Sequence, residues 1–134
     1  MFYPRGWQLT RGDRGTATAV AMDGHGHIAG YLNLTPRQSP ETLSDWTSFR
    51  VRHNIEEGER DVRSEGSATG VRFRDARGSC VRDSYTTTTN ARYTELACLV
   101  RGPVASAVIV GAAPPAEWSG VSPSLERALA ALIT

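Results

Sequence analysis

GSCVRDSYTTTTNARYTELACLVR, residues 78–101, is the stretch whose reading decides the fold. Two runs rich in β-branched and aromatic residues alternate with a period of two and meet at a polar Thr/Asn tip, the pattern of a long antiparallel hairpin. With the tip centred on Thr89, Cys80 faces Cys98, Asp83 faces Glu95 and Tyr85 faces Tyr93. Directly opposed residues of an antiparallel pair have Cα atoms roughly 4.5 to 5.5 Å apart, within the span of a disulfide. Cys80 and Cys98 are therefore expected to bridge, the alternative being a buried reduced pair.

Upstream, Asp61 to Ser67 and Thr69 to Asp75 read as two further strands, the second joined to the hairpin through a turn at Asp75-Ala76-Arg77-Gly78. That register puts Val71, Phe73, Cys80, Leu96, Cys98 and Val100 on one face, as core. The other face carries Arg72, Arg74, Asp83, Tyr85, Tyr93 and Glu95. Like charges directly opposite each other repel, so Asp83 and Glu95 need a compensating cation, and Arg72 lies diagonal to Asp83. Arg72, Asp83, Tyr85, Tyr93 and Glu95 thus form a candidate polar surface site. Paired carboxylates can split their pKa values and run acid/base chemistry when sheltered from water. Ion-paired surface residues account for the same pattern, and no catalytic residue is assigned.

The remaining elements follow in chain order. Trp7 to Thr10 is a short strand, and Thr16 to Met22 and His27 to Leu34 form a hairpin about Asp23-Gly24-His25-Gly26. Asp23, His25 and His27 on one turn make too small a set for zinc, so no metal is expected. Arg11-Gly12-Asp13 and the sequon Asn33-Leu34-Thr35 are short patterns that arise by chance. Ser39-Pro40-Glu41 opens a helix expected to end at Gly58, with Leu43, Trp46, Phe49 and His53 as its apolar stripe. His53 closes that stripe as a packed histidine. Val104 to Ala112 is apolar on both faces, as a central strand is. Pro114-Pro115 ends it, and Ser122-Pro123 starts a last helix with Leu125, Ala128, Leu129, Leu132 and Ile133 on one side. The expected fold is α+β, a mostly antiparallel sheet of about eight strands flanked by two helices.

The 134 residues fit one domain with a core of its own. A net charge of +1, with all fifteen basic residues arginine, provides no basic stripe for nucleic acid. The longest apolar run, Val104 to Ala113, is about half what a membrane-spanning helix needs. Met1-Phe2-Tyr3-Pro4 opens almost inside the first structural element, as a fragment of a longer exported protein would. A disulfide would also fit an oxidising compartment.

Tyr3-Pro4-x-Gly6-Trp7, a helix after the first hairpin, a meander of long strands and a closing Ser122-Pro123-x-Leu125 helix resemble the PsbP-like family of αβα sandwiches. Gly78-Ser79-Cys80-Val81-Arg82-Asp83 with Ala97-Cys98-Leu99-Val100 resembles an actinobacterial exported branch of it. Members include photosystem extrinsic subunits, a Ran-binding nuclear protein and bacterial envelope lipoproteins, which share no single chemistry. The resemblance implies binding to a protein partner without a cofactor. The expected function is a non-catalytic binding or accessory module of the cell envelope. The alternative is a small-molecule-binding domain or enzyme with its polar site around Asp83 and Glu95.

Overall fold

A computed structural model describes residues 5–11, 16–26, 28–36, 41–73, 76–102 and 106–131, the last three by backbone alone. The elements are β1 (Gln8–Thr10), β2 (Ala17–Met22), β3 (Ile28–Pro36), α1 (Trp46–Glu56), β4 (Arg60–Phe73), β5 (Ala76–Thr86), β6 (Arg92–Arg101), β7 (Ser106–Ala113) and α2 (Pro115–Ala131). The strands make one antiparallel sheet in the order β1-β2-β3-β7-β6-β5-β4. The chain is α+β, with α1 on one face and α2 on the other.

The hairpin register is the one the sequence implies: Cys80 pairs with Cys98, Asp83 with Glu95 and Tyr85 with Tyr93. Cys80 and Cys98 are bridged, with Cα atoms 4.1 Å apart. Asn90 takes a left-handed conformation (φ 65°) in the tip, which Asn tolerates better than most residues, and Thr87 closes it by donating its N–H to the Ala91 carbonyl. Because side chains alternate, the odd-numbered residues of β5 and β6 face α1 and the even-numbered ones face α2. Val81, Ala97, Leu99 and Val110 pack with Trp46 and Phe49 on the α1 side. Cys98, Val100, Ile109 and Leu32 pack with Leu125 and Ala128 on the α2 side, with Phe73, Cys80 and Leu96 beside them. The strand β7 is the middle one of the seven and carries core on both faces, as its unbroken apolar run requires.

Four expectations are corrected. The sheet has seven strands rather than eight, because Asp61 to Asp75 is not two strands but mostly the single β4. Its pairing with β5 slips at three bulges, helped by positive φ at Asp61 (49°) and Gly70 (72°), and a bulge absorbs an extra residue without ending a strand. Ala76 and Arg77 are not turn residues but already lie in β5, opposite Phe73 and Arg72. Helix α1 begins at Trp46, after a turn in which Asp45 Oδ1 accepts from the Thr42 N–H at 2.6 Å; the expected start at Ser39-Pro40 lies outside the described residues. Helix α2 begins at Pro115, because a proline at the first helical position lacks only an N–H that would have had no partner, and it runs on through Pro123. The candidate turn histidine His27, Gly12 and Asp13 also lie outside the described residues.

Helix α2 sits close enough to the sheet that a Cβ on Gly111 would meet Leu125 at 2.8 Å. Gly111→Ala should therefore lower stability by about 1 to 3 kcal/mol in urea melts, because overpacking a filled core forces backbone shifts. Adding Leu125→Val, which shortens the opposing side chain, should recover part of that loss; a neutral Gly111→Ala would show that α2 packs less tightly here.

Candidate functional site

Reading across the sheet in register, Tyr31, Ala112, Glu95, Asp83 and Ser64 form one row on the α1 face. Ala112 is small enough to leave space between Tyr31 and Glu95, and Tyr31 Oη comes within 3.4 Å of Tyr85 Oη. Tyr93 stacks on Tyr85 (centroids 6.3 Å apart) and meets Tyr31 edge-on at 6.5 Å. The centre of the row is not a surface. Asp83 and Glu95 are both 0% exposed and Tyr85 is 5% exposed, because α1 lies over them.

What α1 brings to them is polar. Trp46, Arg50 and Asn54 recur every four residues and so share one helix face. Trp46 is buried and its indole N–H donates to the Ala97 carbonyl at 2.9 Å. One turn on, Arg50 makes a two-pronged bond to Glu95, Nε to Oε1 at 2.7 Å and Nη2 to Oε2 at 2.9 Å. A further turn on, the Asn54 amide nitrogen is within 3.1 Å of Glu95 Oε1 and 3.3 Å of Asp83 Oδ2. Tyr85 Oη donates to Glu95 Oε2 at 3.4 Å. Asp83 Oδ1 is buried with no hydrogen-bond donor facing it.

Of the residues expected to form a polar surface site, Asp83, Tyr85, Tyr93 and Glu95 come together, but inside the protein. Arg72 does not join them. It is exposed and pairs with Arg77, whereas Asp83 pairs with Ser64. Six positions along β5 separate Asp83 from Arg77, the residue that Arg72 faces, roughly 20 Å at about 3.3 Å per residue. The cation that compensates the acids is Arg50, which the sequence reading passed over together with Asn54. One signal pointed to them: their spacing from Trp46, which puts both on the helix face that meets the sheet. His53 is half-exposed, stacks on Phe49 (centroids 6.1 Å) and lies 3.7 Å from Glu57, at the border of the stripe rather than in the site.

The electrostatics follow from burial and charge count. Burial raises the Asp83 carboxyl and the neighbouring Glu95 charge raises it further, up to about 8, so near neutral pH it holds a proton and hydrogen-bonds to Glu95. Burial works against the Glu95 charge too, but the Arg50 bonds prevail and hold it below the ordinary carboxylate range. Burial likewise opposes the Arg50 charge, and Glu95 more than offsets it. Burial, then Glu95, pushes Tyr31 up to about 12. Burial, Tyr31 and Glu95 keep Tyr85 neutral throughout the ordinary range. One guanidinium, one carboxylate and one protonated carboxyl make a neutral buried cluster.

No protein-family model matches the chain, and no curated protein matches it by sequence. Among solved structures it is similar to the crystal structure of PA94, a protein of unknown function from Pseudomonas aeruginosa, with a TM-score of 0.69, 10% identity and 96% of each chain covered. At that identity the likeness shows a shared fold. The match runs over nearly the whole of both chains, so the sheet and both helices belong to that fold together.

Arg50→Ala should cost about 3 to 5 kcal/mol in urea melts, because it leaves an uncompensated charge under α1. Arg72→Ala should stay within about 0.5 kcal/mol, as an exposed substitution does. Equal effects of the two would contradict the assignment of Arg50 as the partner of the acids.

Proposed function

We propose that this chain is a non-catalytic binding or accessory module of the cell envelope, on a PsbP-like αβα sandwich, acting through a protein partner. The observation that carries this reading is the position of Asp83 and Glu95. Among the described residues, the constellation with acid/base character that stands out is closed beneath α1, and its hydrogen bonds are used to hold a helix to a sheet. The order of elements supports the family: a first meander, a crossing helix, a longer meander that returns beside β3, and a closing helix. The Cys80–Cys98 bridge supports an oxidising compartment. Among the described residues no helix is long and apolar enough to cross a membrane. Leu9 (61% exposed), Met22 (46%) and Ile28 (42%) leave apolar surface on β1 to β3, where a partner gains most by contact.

The elevated Asp83 carboxyl favours a second reading, in which the acid pair serves a small ligand. That reading requires α1 to move aside first.

Fractionation of cells producing the natural protein, with thiols alkylated before reduction, tests the envelope reading. The protein should sit in the envelope fraction with no alkylatable thiol, and reduction should add two hydrogens to its mass. Reduction should also lower its stability by about 3 kcal/mol, since opening an eighteen-residue loop frees the unfolded chain. Photo-crosslinkers at Leu9 and Ile28 should capture the same envelope protein. A cytosolic protein with two free thiols would overturn the proposal.

A further inference from the structure

We infer that helix α1 is a pH-gated cover: it stays on the sheet while the Asp83–Glu95 pair holds one proton between its two carboxyls, and it lifts when that proton leaves. The inference is independent of the envelope reading and rests on charge count, hydrogen bonding and what attaches α1.

The groups around Asp83 come from every element packed there. Helix α1 contributes Arg50 and the neutral Asn54; β6 contributes Glu95 and Tyr93, β5 Tyr85, β3 Tyr31, β4 Glu65 across its edge, and the α1 to β4 connection Glu59. Among the described residues Arg50 is the cation of this group, and both of its bonded nitrogens are committed to Glu95. A second carboxylate would be buried without a counter-charge, and Asp83 Oδ1 has no donor to receive. The Oε2 of Glu59 is buried without a partner as well, so no spare donor lies on that side. An unpaired charge in such a place is expelled or neutralised.

The attachment of α1 makes release local. Its apolar anchor is at the N-terminal end, Trp46 with Phe49 and the preceding Leu43. Its C-terminal half meets the sheet through Arg50 and Asn54, both bound to the acid pair, while Ile55 is 57% exposed. The sheet below is tied by the continuous β5 to β6 ladder and the Cys80–Cys98 bridge. Losing the shared proton leaves the Arg50 and Asn54 bonds in place but buries a second carboxylate beneath α1 with no counter-charge, and lifting that half of the helix hydrates it without touching what holds the strands.

The sign follows from proton linkage. With α1 closed the Asp83 carboxyl is raised to about 8; with α1 lifted it is solvated and returns to about 4. The closed form thus binds one more proton than the open form between those values. Closure gains its full support from Asp83 below about pH 4, weakens about tenfold per pH unit as pH rises, and levels off above about 8. Glu95, held low by Arg50, acts in the opposite sense and withdraws its support only as pH falls through its lowered value. Closure is accordingly tightest in mildly acidic solution. Tyr31 and Tyr85 stay neutral across this range.

Amide hydrogen exchange between pH 5 and 9, corrected for intrinsic rates, tests the cover. In the wild-type protein the opening constant of amides 50–56 should rise about tenfold per pH unit up to about pH 8 and then flatten. Amides of β6 should keep their protection over the same range. Asp83→Asn, which keeps the shape and removes the titration, should flatten the α1 profile. The inference is overturned if α1 protection does not depend on pH, if α1 and β6 lose protection in step, or if a folded Asp83→Asn protein retains the slope. Should that variant fold poorly, the ratio of α1 to β6 opening in the wild-type protein decides alone.

Discussion

The register of β5 against β6 is the constraint on which the rest depends. Sliding that pairing by one residue would move every side chain to the opposite face. Cys80 and Cys98 could then not bridge, and Asp83 and Glu95 would no longer face each other. Because both faces of the sheet carry a helix, the error would reach both cores: Val81, Ala97 and Leu99 are shaped for α1, and Cys98 and Val100 for α2. The bridge joins opposed positions of this ladder, so it is compatible with one register alone.

Once the register is set, two acids meet under α1, and the polar half of that helix becomes intelligible. A carboxylate pair in a protein interior is costly unless charge and hydrogen bonds are matched. Here the match is one guanidinium, one amide and one retained proton. A purely apolar contact would hold α1 as well or better at any pH. What the polar cluster adds is a fixed rotational setting, since the Arg50 fork fits Glu95 in one orientation, and a dependence on proton concentration.

The edges of the sheet are managed by different means. The strand β1 is three residues long and offers little template for another chain. The strand β4 is fourteen residues long and mostly exposed, but bulges interrupt it three times and it carries Arg60, Arg63, Glu65 and Arg72. Twisted, charged edges resist accidental pairing. This leaves the exposed apolar residues of β1 to β3 as the more receptive side of the sheet.

How much was legible in the sequence depended on the range of the interaction. The hairpin, its register, the facing cysteines, tyrosines and acids, the two-sided apolar β7 and the α+β class are written in local alternation, which has a period of two and tolerates no ambiguity over ten residues. Bulges in β4 were not legible, because an extra residue costs little at a solvent-facing edge and leaves only Gly66 and Gly70 as faint marks. Arg72 was placed beside Asp83 for a separate reason: Ala76 and Arg77 read as turn residues, whereas they already pair with Phe73 and Arg72, which shifts Arg72 four positions along β5. The start of α2 escaped for a related reason: Pro115 is compatible with ending a strand and with opening a helix, and only packing of Trp118, Val121 and Leu125 on the sheet chooses between them. The partner of the acids is a tertiary fact altogether. Arg50 is 45 residues from Glu95 in the chain, and no periodicity says which charged residue of a helix will cross the gap to a strand. The sequence determined that two carboxyls would meet; only the docking of α1 decided that they would be buried, paired with Arg50 and left holding a proton.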